Sequence, residues 1–134
     1  MRILGVDWGS KRIGLAIAES EHGIVSPRSN LTPTGTLKLD AQNILEVAKK
    51  EQATQVVLGL PIEPDGEEGK MARLVRQLAG NIEGVLPVAF VDESLTSVEA
   101  IGAMADAGLK ASERRKRVDA EAACRILERY LEQA

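Results

Sequence analysis

The chain opens on short apolar runs with the spacing of strands. Residues 2–8, Arg2-Ile3-Leu4-Gly5-Val6-Asp7-Trp8, read as the first. Residues 12–18 alternate Ile13, Leu15 and Ile17 with Gly14, Ala16 and Ala18, the period of two expected of a strand with unlike faces. The Gly9-Ser10-Lys11 link between them is short enough for a hairpin. A weaker run over 23–28 predicts an edge strand, where Pro27 is tolerated. The period then lengthens. Leu37, Ala41, Ile44, Leu45 and Ala48 form the stripe of an amphipathic helix. Residues 55–60 are nearly all apolar, as in a strand covered on both faces, and Pro61 stops them. Met71, Leu74, Val75 and Leu78 make a second helical stripe, and 86–91 a further buried strand. A third helix is predicted from Thr96, which with Glu99 has the spacing of a capping box, and a fourth over 118–131. A meander followed by strand–helix alternation describes an α/β chain with a mixed sheet and about four flanking helices.

Composition narrows the class. At 134 residues, the chain reads as one domain over 1–134. A hydrophobic fraction of 44% with 28% charged residues excludes disorder over the whole chain. No apolar stretch approaches the roughly 18–20 residues of a membrane helix, and Asp7 interrupts the start too early for a signal peptide. Cys124 is the single cysteine, which rules out an internal disulfide and a cysteine-based zinc site. The expected setting is the cytoplasm, with no membrane partner. A net charge of −3 disfavours a non-specific nucleic-acid coat but permits an enzyme with one local basic patch.

Several carboxylates sit where a plain structural role is awkward. Asp7 ends an apolar strand and precedes Gly9-Ser10, residues suited to a tight turn with exposed N–H groups. A turn-forming Asp that bonds its own backbone is the competing reading. Asp92-Glu93 follows the strand Val88-Ala89-Phe90-Val91, a common site position in open α/β sheets. Strand alternation sends the two side chains to opposite faces, so one of them at most points into a site; the competing reading is N-terminal charge on the next helix. Asp119 precedes Ala122, Ala123, Ile126, Leu127 and Tyr130 at helical spacing, so it heads an apolar face. Carboxylates are seldom buried unless paired or metal-bound; a helix-start acid satisfied by first-turn amides is the alternative. If Asp7, Glu93 and Asp119 converge, they suit hard cations such as Mg²⁺ or Mn²⁺. Two such ions about 3.5–4 Å apart can support phosphodiester hydrolysis. The only histidine, His22, lies in a polar turn, which makes zinc a poor candidate.

Cations accompany these acids. Lys110 and the run Arg114, Arg115, Lys116 and Arg117 lead into Asp119, and Lys11 and Arg12 follow Asp7. Both groups are candidate phosphate contacts; a solvated loop is the ordinary reading of such a run. Gly59-Leu60-Pro61 with Pro64-Asp65-Gly66 forms a loop after a strand, either plain turn chemistry or a close approach to a ligand. It lacks the spacing of a P-loop. With Trp8, Phe90 and Tyr130 the only aromatics, base stacking is not the main mode of binding.

Four segments, in order and spanning nearly the whole chain, resemble the YqgF/RuvX-type family of pre-16S rRNA nucleases, also described as Holliday-junction-resolvase-like. They are Gly5-Val6-Asp7-Trp8-Gly9-Ser10-Lys11-Arg12-Ile13-Gly14, Val57-Leu58-Gly59-Leu60-Pro61 with Asp65-Gly66, Asp92-Glu93-Ser94-Leu95-Thr96-Ser97-Val98-Glu99-Ala100, and Lys116-Arg117-Val118-Asp119-Ala120-Glu121-Ala122-Ala123. The resemblance implies an RNase H-like fold with a five-stranded mixed sheet. It also implies that Asp7, Glu93 and Asp119 are a catalytic, metal-holding triad, and that the chain matures the 5′ end of pre-16S rRNA in the cytoplasm. The family usually has Arg after the Asp-Glu pair, where this chain has Ser94; Arg12 or Arg114 would then take a phosphate contact. The resulting expectation is a metal-dependent endonuclease on structured RNA, acting as a monomer or weak homodimer. Branched DNA is the alternative substrate, and a non-catalytic ribosome-assembly factor the alternative role. A phosphate-binding ATPase fragment, suggested by Asp7-x-Gly9-Ser10, would need a second such domain.

Overall fold

The structure, a computed structural model, describes residues 1–93 and 111–133, the side chains of 111–119 left aside. In chain order the elements are β1 (Arg2–Trp8), β2 (Ile13–Glu19), β3 (Ile24–Leu31), α1 (Leu37–Lys50), β4 (Gln55–Leu60), α2 (Lys70–Ile82), β5 (Val88–Asp92) and α3 (Ala111–Gln133). They build one five-stranded sheet in the order β3-β2-β1-β4-β5. The first three strands pair antiparallel, while β4 runs parallel to both β1 and β5.

The unlike faces of β1 and β2 decide what covers each side. Leu4, Val6 and Trp8 point with Ile13, Leu15 and Ile17 into a core closed by Ile44, Ala48, Val75, Leu78 and Ile82 of α1 and α2. The opposite face is made of smaller groups, Ala16 and Ala18 with Ile3, Val57 and Val91, and it carries Ala123, Ile126 and Leu127 of α3. Small residues there let α3 lie close. A Cβ on Gly5 would fall 2.5 Å from Leu127 Cγ, well inside contact distance. Large side chains on one face and small ones on the other thus set a three-layer arrangement with β1 and β4 at its centre.

The end of the sheet that holds the start of β1 is tied down by charge. Arg2 donates to Glu19 at 2.6 Å and to Glu51 at 2.9 Å, and Arg28 donates to Glu51 at 3.0 Å. Three strands are thereby joined to the C-terminus of α1, which leaves the other end, where β1, β4 and β5 finish, for the candidate site.

Some boundaries differ from the sequence reading. β3 extends to Leu31 as a half-exposed edge strand, because the ladder with β2 extends it where apolar pattern is missing. Three helices lie among the described residues rather than about four; the one expected from Thr96 falls outside them. α3 begins at Ala111, seven positions before the predicted 118. The run Arg114–Arg117 therefore belongs to a helix and not to a loop. Arg, Lys, Glu and Ala are strong helix formers, so 111–117 continues the helix without an apolar stripe.

Candidate active site

The alternation of β1 sends Ile3, Gly5 and Asp7 toward the α3 side of the sheet and Leu4, Val6 and Trp8 to the other. Asp7 is thus half-buried at the strand's end, opposite Gly14 of β2. Glu93 arrives from two strands away. Its own N–H donates to the Leu60 carbonyl at 3.2 Å, extending the β4–β5 pairing by one residue. Nη1 of Arg129 on α3 donates to the Asp92 carbonyl at 2.9 Å, which fixes the strand exit on which Glu93 sits.

β4 stands between β1 and β5, so the two acids can meet only across it. They do so over Gly59. A Cβ built on Gly59 would lie 2.6 Å from Glu93 Oε2 and 2.5 Å from Ile126 Cδ1. The missing side chain is the space through which the Glu93 carboxyl reaches Asp7 and beneath which Ile126 packs. Glycine inside an apolar strand weakens that strand; here it opens the path between two carboxyl groups.

Burial, first, and then a hydrogen bond to Asp7 and the charges of Asp7 and Asp92 push Glu93 up to about 9. Two carboxylates in contact cannot both ionise cheaply, and a shared proton relieves the repulsion. A hard divalent cation would do the same with greater charge, and paired carboxylate oxygens are its preferred donors. Asp7 and Glu93 therefore fit a Mg²⁺- or Mn²⁺-type ion. Among the described residues no cluster of three metal-capable side chains forms. The carboxyl of Asp119 is not one of these: its backbone lies on α3, one turn ahead of the buried Ala122 and Ala123, with its side chain outside the description.

The remaining sequence candidates divide by position. Lys11 and Arg12 sit in the β1–β2 turn that follows Trp8, closed by a Gly9 N–H donated to the Arg12 carbonyl at 2.9 Å. Arg114, Arg115, Lys116 and Arg117 occupy the first half of α3 by backbone. Lys110 and Ser94 lie outside the described residues. Asp92 is exposed, while Glu93 turns inward, as the alternation predicts.

Asp40 is the residue that the sequence reading passed over; that reading takes up Gly59 only as the start of the loop after the strand, whereas it lies within β4. Gly59 was legible as a glycine within a continuous apolar strand. Asp40 lies four residues before Ile44, on the apolar stripe of α1, and is only 1% exposed. It is the buried charged side chain of the described residues. It accepts hydrogen bonds from Trp8 Nε1 at 3.2 Å and from the Thr34 N–H and hydroxyl, each at 2.8 Å.

The sheet order, with an acidic pair at the ends of β1 and β5, defines an RNase H-like α/β protein. Its solved likenesses include Thermus thermophilus RuvC in complex with a Holliday junction substrate, with a TM-score of 0.59 and 17% identity over 100% of this chain and 96% of that one. The fowlpox virus Holliday junction resolvase has a TM-score of 0.62 and 14% identity over 100% of both chains. Within that class the chain belongs to the RuvX family, described as Holliday junction resolvase, whose model matches residues 1–133. Relatives carrying the name "Putative pre-16S rRNA nuclease" occur in Anaeromyxobacter sp. (strain K), 42% identical over 98% of this chain and 97% of that one. Another, in Maridesulfovibrio salexigens, is 36% identical over 100% of both chains.

Proposed function

We propose that the protein is a metal-dependent endonuclease that hydrolyses phosphodiester bonds of structured RNA and matures the 5′ end of pre-16S rRNA. The observation that carries this reading is the contact of Asp7 with a Glu93 carboxyl pushed up to about 9. A divalent cation would take the place of the proton that this acidic pair shares, and phosphodiester hydrolysis is a reaction in which such a cation acts on developing charge. Asp7, Glu93 and Asp119 would hold Mg²⁺ or Mn²⁺, as two ions. When bound, these ions supply charge stabilisation for the attacking and leaving oxygens.

The chain's own groups do the rest. Gly59 and the Arg129–Asp92 contact hold Glu93 at its place beside Asp7. Lys11, Arg12 and the cations Lys110, Arg114, Arg115, Lys116 and Arg117 take the phosphates on either side of the site, which fixes register and orientation without reading bases. Glu93 would release its proton to solvent in order to hold the cation as a carboxylate. The protein works in the cytoplasm, as a monomer or weak homodimer. The family description favours a second reading, in which the same chemistry resolves branched DNA. Cleavage of labelled precursor rRNA, run beside a four-way DNA junction with Mg²⁺ or Mn²⁺, tests both. RNA cut at its 5′ leader supports the first reading, junction cleavage alone the second, and cleavage of neither leaves an assembly factor.

A further inference from the structure

A groove of about 490 Å³ runs along the outer side of α1, on the α1–α2 face of the sheet and so away from the Asp7–Glu93 pair. Leu45, Ala53 and Leu86, all at least half-buried, line its inner part, and Val85 stands at its far side. Val85 is 68% exposed, the most open of the large apolar side chains described. The turn after α2 holds it there: the N–H groups of Val85 and Leu86 donate to the Ile82 carbonyl at 2.9 and 3.1 Å. The near side of the groove is polar. Gln42, Glu46 and Lys49 follow one another at i, i+4 and i+7 of α1 and are exposed. They form a helical ridge with an acid and a base one turn apart. Exposed apolar residues that stand singly need no explanation. Here a fixed one faces an apolar groove beside a helical ridge, and the shape that fills such a groove is another helical ridge.

We infer that this groove is the contact surface for a second copy of the chain, with α1 of each copy lying antiparallel in the groove of the other about a twofold axis. In such a contact one patch must complement itself. This patch does so in shape, because it offers both a ridge and a groove that takes one. It also does so in charge. With the axis at the level of Val47 and Ala48, Glu46 of each copy stands against Lys49 of the other. Gln42 of each copy then reaches Ala53 of the other, and Val85 is covered by the ridge and its aliphatic stems. A single helix pair falls short of the roughly 800 Å² per partner of a standard interface. The dimer is therefore weak, with a dissociation constant above about 1 μM. The contact lies on the α1 side of both sheets, so the two Asp7–Glu93 pairs, on the α3 side, stay open. The inference is independent of the nuclease reading.

Sedimentation equilibrium of the full chain without nucleic acid, from about 10 μM to about 1 mM, reads this directly. Expected is a reversible monomer–dimer equilibrium within that range. Val85→Asp puts a charge into the apolar contact and should weaken association about tenfold or more. Its side chain is exposed in the monomer, so the circular dichroism spectrum should not change. Glu46→Lys alone and Lys49→Glu alone each set like charges against one another and should weaken self-association severalfold. An equimolar mixture of those two variants restores both opposite-charge pairs and should associate as the parent does. That rescue is specific to a second copy in antiparallel register, because a partner of another kind gains nothing from mixing them. A parent that stays monomeric at about 1 mM overturns the inference and leaves the groove to a different partner. Parental affinity in Val85→Asp would place the dimer contact on another surface. A mixture that associates no better than either charge variant alone would refute the antiparallel pairing of Glu46 with Lys49.

Discussion

Gly59 and Glu93 occupy one space: a Cβ on the glycine would fall 2.6 Å from the Glu93 Oε2 and 2.9 Å from its Cδ. The acidic pair therefore exists because the strand between its members has no side chain at that point. Gly59→Ala should push the Glu93 carboxyl off Asp7 and disturb Ile126, at about 1–3 kcal/mol of stability as in other overpacked sites. Cleavage should fall more than stability explains. The three atoms nearest to a Cβ on Gly5 all belong to Leu127, so Gly5→Ala should lose stability and keep the activity of its folded fraction. Chemical denaturation and single-turnover cleavage of both variants check this; equal activity losses per folded molecule would deny Gly59 its special place.

Asp7→Asn should remove cleavage by roughly a hundredfold or more, the scale of deleting one charge-stabilising group. Folding should survive, since the substitution relieves repulsion with Glu93. A melting temperature at or above that of the parent, with activity lost, is the expected pair of results. Parental activity at matched purity would show that Asp7 is no ligand.

Glu93 makes the metal-free protein sensitive to pH in a defined direction. Its folded pKa of about 9 stands above the ordinary 4.5. Between those values the native state binds more protons than the unfolded one, so stability falls as pH rises. Glu93→Gln should flatten that slope. Divalent-ion affinity should move the opposite way, growing toward high pH as the proton that competes with the cation leaves. Isothermal titration with Mn²⁺ across this window reads the second effect, and denaturation with chelator present reads the first.

Glu51 behaves inversely at the other end of the sheet. The Arg28 hydrogen bonds, with that of Arg2, hold its carboxyl below the usual range against a smaller burial cost. Its contribution is complete above the unfolded carboxylate value and is lost as pH falls through the lowered folded one. Glu51→Gln should cost less than about 1 kcal/mol near neutrality, and nothing at strongly acid pH. Denaturation midpoints of parent and variant should therefore converge on acidification.

The hydrophobic pattern alone was enough to read the sheet, because β1, β2 and β4 alternate or run apolar without interruption. It was weakest where other forces set the boundary. β3 is held by its ladder with β2, and the first turns of α3 by helix propensity, so neither carries an apolar stripe to be read. Asp7 and Glu93 were legible as carboxylates at strand ends. Their meeting was not, since it depends on Gly59 of β4, the strand that lies between theirs, a relation that only the sheet order reveals. Asp40 was hidden for a similar reason: its partners Thr34 and Trp8 lie on a loop and a strand whose approach to α1 no local spacing records.

The basic run of α3 offers a test that needs no chemistry. Replacing Arg114, Arg115 and Arg117 by Ala should weaken nucleic-acid binding and lower the log–log salt slope by about two to three units, if each makes one phosphate contact. Base preference should stay, because phosphate contacts carry no direct sequence information. Parallel salt lines for parent and variant would move the substrate path to Lys11 and Arg12.

The most direct measurement is single-turnover cleavage of 5′-labelled precursor 16S rRNA by parent and Glu93→Gln, with Mg²⁺ or Mn²⁺ and with chelator. The account predicts cation-dependent cleavage at the 5′ leader by the parent, none with chelator, and a loss of roughly a hundredfold or more in the variant. Cleavage that proceeds equally in chelator, or equally without the Glu93 carboxylate, would contradict it.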